Sequence, residues 1–162
     1  MEHLTDEKII ESQKRFEESL GDSLDPVIIV LKGHLFSENQ LENLIFAGMP
    51  RGDRVLEYGN LSYYQKLALV DSLDILPDNL ISTFRGVNKL RNKLAHNLDT
   101  GVSYSEIVRV GSSLGKEFTQ LKHESENDQH LLWGVIHHAC GKLTAASIRF
   151  EAKNTNSSIS KV

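Results

Sequence analysis

The chain has 162 residues, 40% of them hydrophobic and 25% charged, with a formal net charge of -4 at pH 7. That is enough chain for one domain with its own core, and the composition excludes a largely disordered or low-complexity protein. The acidic balance excludes a uniformly basic nucleic-acid binder but not a local basic patch, because the field at a site follows the nearby charges rather than their sum.

The N-terminus, MEHLTDEKIIESQKRF, is charged from its second residue and has no apolar signal core. A first helix is expected from about Thr5 to Leu20, with Thr5 as N-cap and Ile9, Ile10, Phe16 and Leu20 on one face. GDSLD at 21–25 breaks it. Pro26 suits the first turn of a second helix capped by Asp25. That helix reaches about Ala47, its spacing carried by Leu31, Leu35, Leu41, Leu44 and Ile45. Its apolar run VIIVL at 27–31 is too short to cross a bilayer. AGMPRGD at 47–53 reads as a loop, SYYQKLALVDSL as a third helix, and a fourth begins near Pro77 or Asp78.

Gly101 supplies the turn after the fourth helix, and Ser103 caps a fifth helix from about Tyr104 to Leu121. Polar KHESENDQ at 122–129 leads to a sixth, from about Gln129 to Lys153. No strand alternation persists. The expectation is an all-α, single-domain bundle of about five to six helices over residues 1–153, with 154–162 a flexible tail. One cysteine, Cys140, cannot close an internal disulfide, which fits a reducing compartment. Together these features point to a cytoplasmic protein with no membrane contact.

The fourth helix carries the chemistry. At about 100° per residue, Leu80, Phe84, Val87, Leu90, Leu94, Ala95 and Leu98 share one arc, the expected buried face. Arg91 falls inside that arc, and an unpaired charge is costly to bury. Asn88, Asn92 and His96, spaced i, i+4, i+8, form a polar ridge beside it. Arg85, Lys89, Arg91 and Lys93 make the segment basic, and no acid occurs between Arg85 and Asn97.

An imidazole that titrates near neutrality and a permanently charged guanidinium suit phosphodiester chemistry. Three structural readings stand beside that one, the first being that the asparagines are interhelical hydrogen-bonding groups. Arg91 pairs with Glu38 or Glu42 on the second helix, and His96 balances the negative end of the helix dipole. His34, four residues before Glu38, falls on the same second helix.

RNKLAH at 91–96 has the form Arg-Asn-x-x-x-His and resembles the signature of the HEPN superfamily. The order of LKGHLFSENQLENLI, LSYYQKLALVDSL and VNKLRNKLAHNL is similar to that of small bacterial members, and the likeness covers roughly residues 25–108. The resemblance implies an all-α bundle that dimerises through the motif helices and cuts RNA without a metal or other cofactor, as a toxin or antiviral defence effector. Carried over, Arg91 binds the scissile phosphate, Asn92 orients the site, and His96 moves the proton, giving a 2′,3′-cyclic phosphate. Arg85, Asn88, Lys89 and Lys93 become the RNA-binding set, and an antitoxin or regulatory protein a further partner. Leu98 stands where one toxin subgroup has a tyrosine. The alternative is a non-catalytic regulator similar to mannitol-repressor-type proteins, using the same surface for a protein partner.

His130, His137, His138 and Cys140 on the sixth helix lack the ligand pairs on each side that a zinc site shows and read as surface or packing residues. No Gly-rich phosphate loop, nucleophile elbow or His-Glu-x-x-His sequence occurs.

Overall fold

A computed structural model describes residues 2–21, 23–97 and 100–159, with side chains from Thr5 to Asn154 within them. Among the described residues there are eight α-helices, one 3₁₀ turn and no strand. The protein is all-α, with more helices than the five to six expected. They are α1 (Glu2–Leu20), α2 (Pro26–Gly48), α3 (Gly52–Tyr58), α4 (Tyr63–Ser72), α5 (Asp78–His96), α6 (Tyr104–Gly111), α7 (Lys116–Glu124) and α8 (Asp128–Ile159). No helix among the described residues is long and apolar enough to cross a membrane.

The starts of α2, α4 and α6 follow from their caps. The Asp25 carboxylate accepts from the backbone N–H groups of Val27 and Ile28. Ser62 with Gln65, and Ser103 with Glu106, close reciprocal capping boxes that satisfy first-turn donors.

The expected elements shift in four places. Residues within AGMPRGD open α3 rather than staying loop, with Gly52 tucked against the backbone at Ile45 and Phe46 where a Cβ would collide. The expected Tyr104–Leu121 helix divides into α6, a 3₁₀ turn at Ser112–Leu114, and α7. The break sits at Gly115, whose φ of 64° no continuing α-helix allows. The last helix continues past Lys153 to Ile159, so part of the expected tail is helical. Helix α1 begins at Glu2, which leaves Thr5 inside it rather than at its cap.

Helix α2 is the hub and packs against α1, α3, α4, α5 and α8. Helix α4 runs alongside it in the same direction, with Tyr63 at Ser37 and Lys66 at Glu42. Helix α5 runs the opposite way, with Asn88 at His34 and Arg85 at Asp71. The core is one cluster that includes Phe16, Leu41, Leu44, Ile45, Leu67, Phe84, Ile107, Leu132 and Ile136.

Gly33 lets α2 and α8 approach closely, because a methyl there would run into the Ile136 Cγ2 methyl. Three side chains expected on buried faces point outward instead: Ile10 on α1, and Leu31 and Leu35 on α2. Of eight exposed large hydrophobic side chains among the described residues, four (Ile28, Leu31, Leu35 and Phe46) lie on α2.

Candidate functional site

Helix α5 starts after Pro77, carries Asp78 in its first turn and ends with Lys93 and His96 in its last, a charge order that complements its dipole. Leu80, Ile81, Phe84, Val87, Leu90 and Leu94 fill its buried side. Ala95, expected on that side, is exposed, and Leu98 lies outside the described residues.

Arg91 is half-buried at the edge of this apolar side. Its Nη1 donates to Asn92 Oδ1 at 3.2 Å, and among the described residues no carboxylate pairs with it. The acids that could have done so are engaged elsewhere: Lys66 on α4 meets Glu38 at 2.7 Å and Glu42 at 2.6 Å. Burial pulls the Lys66 ammonium down, but the two carboxylates outweigh it and hold its pKa above the ordinary lysine value. The expected Arg91 bridge to Glu38 or Glu42 is therefore absent, because a closer cation from another helix holds both acids.

The ridge residues have different surroundings. Asn92 and His96 are exposed. Asn88 is half-buried and accepts at Oδ1 from Nε2 of His34, 3.1 Å away. His34 is buried at 7% exposure and its ring stacks on Tyr63, centroids 4.0 Å apart and planes 26° apart. The Tyr63 hydroxyl meets Ser37 Oγ at 2.8 Å, and Ser37 Oγ donates to the His34 carbonyl at 2.9 Å.

Burial lowers the pKa of the His34 imidazole. The Asn88 bond and nearby Glu38 oppose that shift, while Arg91 and Lys66 reinforce it. Burial thus favours the neutral ring. Because an amide oxygen only accepts, the proton sits on Nε2.

Of the basic residues around the motif, Arg85 is held by Asp71 at 2.8 Å. Lys93 reaches both oxygens of Glu106, at 2.7 and 2.9 Å, and the Gly101 carbonyl at 3.2 Å. Burial raises the Glu106 pKa, but Lys93 and the Ser103 bonds outweigh it and leave the carboxyl below its ordinary value. Lys93 thus ties Gly101 and Glu106 to α5. Lys89 is exposed and has no acidic partner among the described residues.

Sequence reasoning placed His34 on α2 but did not bring it to the motif helix, and it did not find Tyr63, Ser37 or Lys66. The Ser62–Gln65 capping signature was the available signal, since it fixes where α4 starts and so which side Tyr63 and Lys66 present.

The histidines of α8 form a separate group. His137 stacks on Trp133, centroids 4.6 Å apart, and meets Glu17 at 2.8 Å. His130 pairs with Glu126, and buried Cys140 donates to the Gly33 carbonyl. Among the described residues no group of three or more His, Cys, Asp or Glu side chains could hold a metal ion.

No protein-family model matches the chain. No curated protein and no solved structure matches it either.

Proposed function

We propose that the chain is a HEPN-type, metal-independent endoribonuclease that works on RNA as a cytoplasmic homodimer, in the role of a toxin or defence effector. One observation carries this reading: Arg91, half-buried on the Arg-Asn-x-x-x-His helix, has no carboxylate partner among the described residues. A guanidinium kept clear of acids at the edge of an apolar face is suited to a phosphate, which it binds with paired, charge-assisted hydrogen bonds.

In the proposed reaction Arg91, steadied by Asn92, binds the scissile phosphate and offsets the charge that builds on its oxygens. His96 takes the proton of the 2′-hydroxyl, and the 2′-oxygen attacks phosphorus. The bond to the 5′-oxygen breaks, and that oxygen leaves with a proton donated by an imidazolium. The products are a 2′,3′-cyclic phosphate and a 5′-hydroxyl, with no metal or water consumed. Arg91 and His96 project about 140° apart on one helix, so a second copy is needed to bring both kinds of group to one cleft. The exposed apolar side chains of α2 supply surface for such contact. An antitoxin or regulatory protein would act by covering this face.

That same apolar surface also favours a second reading, a non-catalytic regulatory module that binds a protein. Incubating unmodified RNA with pure protein in EDTA separates the two. The nuclease reading expects cyclic-phosphate ends from the wild type and loss of cleavage by at least about 100-fold in Arg91→Ala and His96→Ala. An inert wild type, or cleavage unchanged in His96→Ala, rejects it.

A further inference from the structure

His34 is a costly choice for its position. The ring is buried and stacked on Tyr63, a slot that a phenylalanine would fill without desolvating a polar group. Its one side-chain hydrogen bond among the described residues goes to Asn88 Oδ1 on α5, at 3.1 Å. Asn88 stands one turn before Arg91 and Asn92 on the same helix. Its Nδ2 group bonds no described residue and is not sealed from solvent. Half-buried Asn88 thus keeps its Nδ2 donors within reach of solvent and unspent on the described residues.

We propose that His34 is a positioning residue for the phosphate site at Arg91: its Nε2–H grips Asn88 by Oδ1 and so presents the Asn88 Nδ2 donors to an RNA phosphate. The inference rests on reading Arg91 as a phosphate ligand, though not on cleavage. A surface asparagine exchanges the ends of its amide freely, and the wrong end would place a carbonyl oxygen against an anion. A donor fixed by stacking on Tyr63, itself tied to Ser37, removes that choice. Two donor types from adjacent turns then converge on one anion, and the neutral one is set in place before binding.

The test measures affinity for a short 2′-O-methyl oligoribonucleotide, which has phosphates but no 2′-hydroxyl to attack, beside cleavage of unmodified RNA. His34→Phe keeps the ring and loses the donor; His34→Gln keeps a donor near the Nε2 position. Affinity is expected to fall about tenfold in His34→Phe and to recover in His34→Gln. His34→Phe/Asn88→Ala should bind no more weakly than Asn88→Ala alone, since the histidine acts through the asparagine.

Imidazole nitrogen-15 shifts of the wild type need no variant, and they should show the proton of His34 on Nε2. A proton on Nδ1, unchanged affinity in a folded His34→Phe, or additive losses in the double variant overturns the proposal. A wild type that binds but does not cut, with binding dependent on His34, sinks the nuclease reading and keeps this one. A wild type that cuts while His34→Phe matches it in both assays does the reverse. A wild type that binds no RNA removes both.

Discussion

At the scale of single residues, the pairing of charges separates Arg91 from Lys66. Lys66 is 12% exposed and lies between Glu38 and Glu42; removing it leaves two acids facing each other without a cation. Arg91 neutralises no described acid, so removing it strands nothing. In urea unfolding, Arg91→Ala is expected to stay within about 0.5 kcal/mol of wild type, whereas Lys66→Ala should cost about 1–3 kcal/mol. A large loss in Arg91→Ala would return the arginine to a structural role. His34 gives a second test, through pH. Its folded pKa lies below the 6.5 of the free side chain. Between those values the unfolded chain binds a proton that the folded chain does not, so unfolding is favoured as the pH falls. Stability should therefore drop between pH 7.5 and 5.5, and less steeply in His34→Gln. His138, also lowered by burial, adds to the same trend. The depressed carboxyls of Glu106 and Glu117 act at lower pH, below about 4.5. Equal slopes in wild type and His34→Gln would show that His34 does not titrate in this window.

At the scale of elements, the parts legible in the sequence are those whose causes are local. Asp25 before Pro26 marked the start of α2, and Ser103 that of α6, because a cap is written in three or four consecutive residues. The motif helix was legible too, since Leu80, Phe84, Val87, Leu90 and Leu94 repeat at its period. What escaped depends on contacts between distant residues. Helix α3 forms where Gly52 can fit under α2, and a Pro-Arg-Gly string gives no hint of that. Lys66 reaches Glu38 and Glu42, and His34 reaches Asn88 across 54 positions; no sequence period encodes either. Gly33 belongs to the same class: its lack of a Cβ sets how closely α2 meets α8. Gly33→Ala pushes a methyl into Ile136 at its branched Cβ end, where the side chain cannot swing clear. The expected cost is about 1–3 kcal/mol, despite the better helix propensity of alanine. An unchanged urea midpoint would mean that the two helices separate without loss.

At the scale of the whole molecule, the distribution of exposed apolar surface is uneven, and α2 accounts for much of it. This hub helix buries Ile29, Val30, Leu41, Leu44 and Ile45 inward, yet leaves Ile28, Leu31 and Leu35 at 38%, 42% and 68% exposure. Their i, i+3, i+7 spacing keeps the three within about 60° of one another, so they form one stripe rather than scattered contacts. Isolated apolar side chains on a surface need no explanation, but a contiguous stripe on the helix that also holds the motif helix through His34 does. A second copy would cover the stripe and bring a second α5 within reach, as the proposed cleft requires. Sedimentation at micromolar concentration should then give a dimer for the wild type and a monomer for Leu31→Glu/Leu35→Glu. The substituted side chains already face solvent, so thermal stability of the monomer should change little beyond the loss of dimer coupling. RNA cleavage should fall with dimerisation and recover as protein concentration is raised. A wild type that sediments as a monomer, or a monomeric variant that cuts RNA at full rate, would remove the shared cleft and require Arg91 and its histidine partner to work within one chain. In that case buried His34, which lies near Arg91, would be the imidazole to test next.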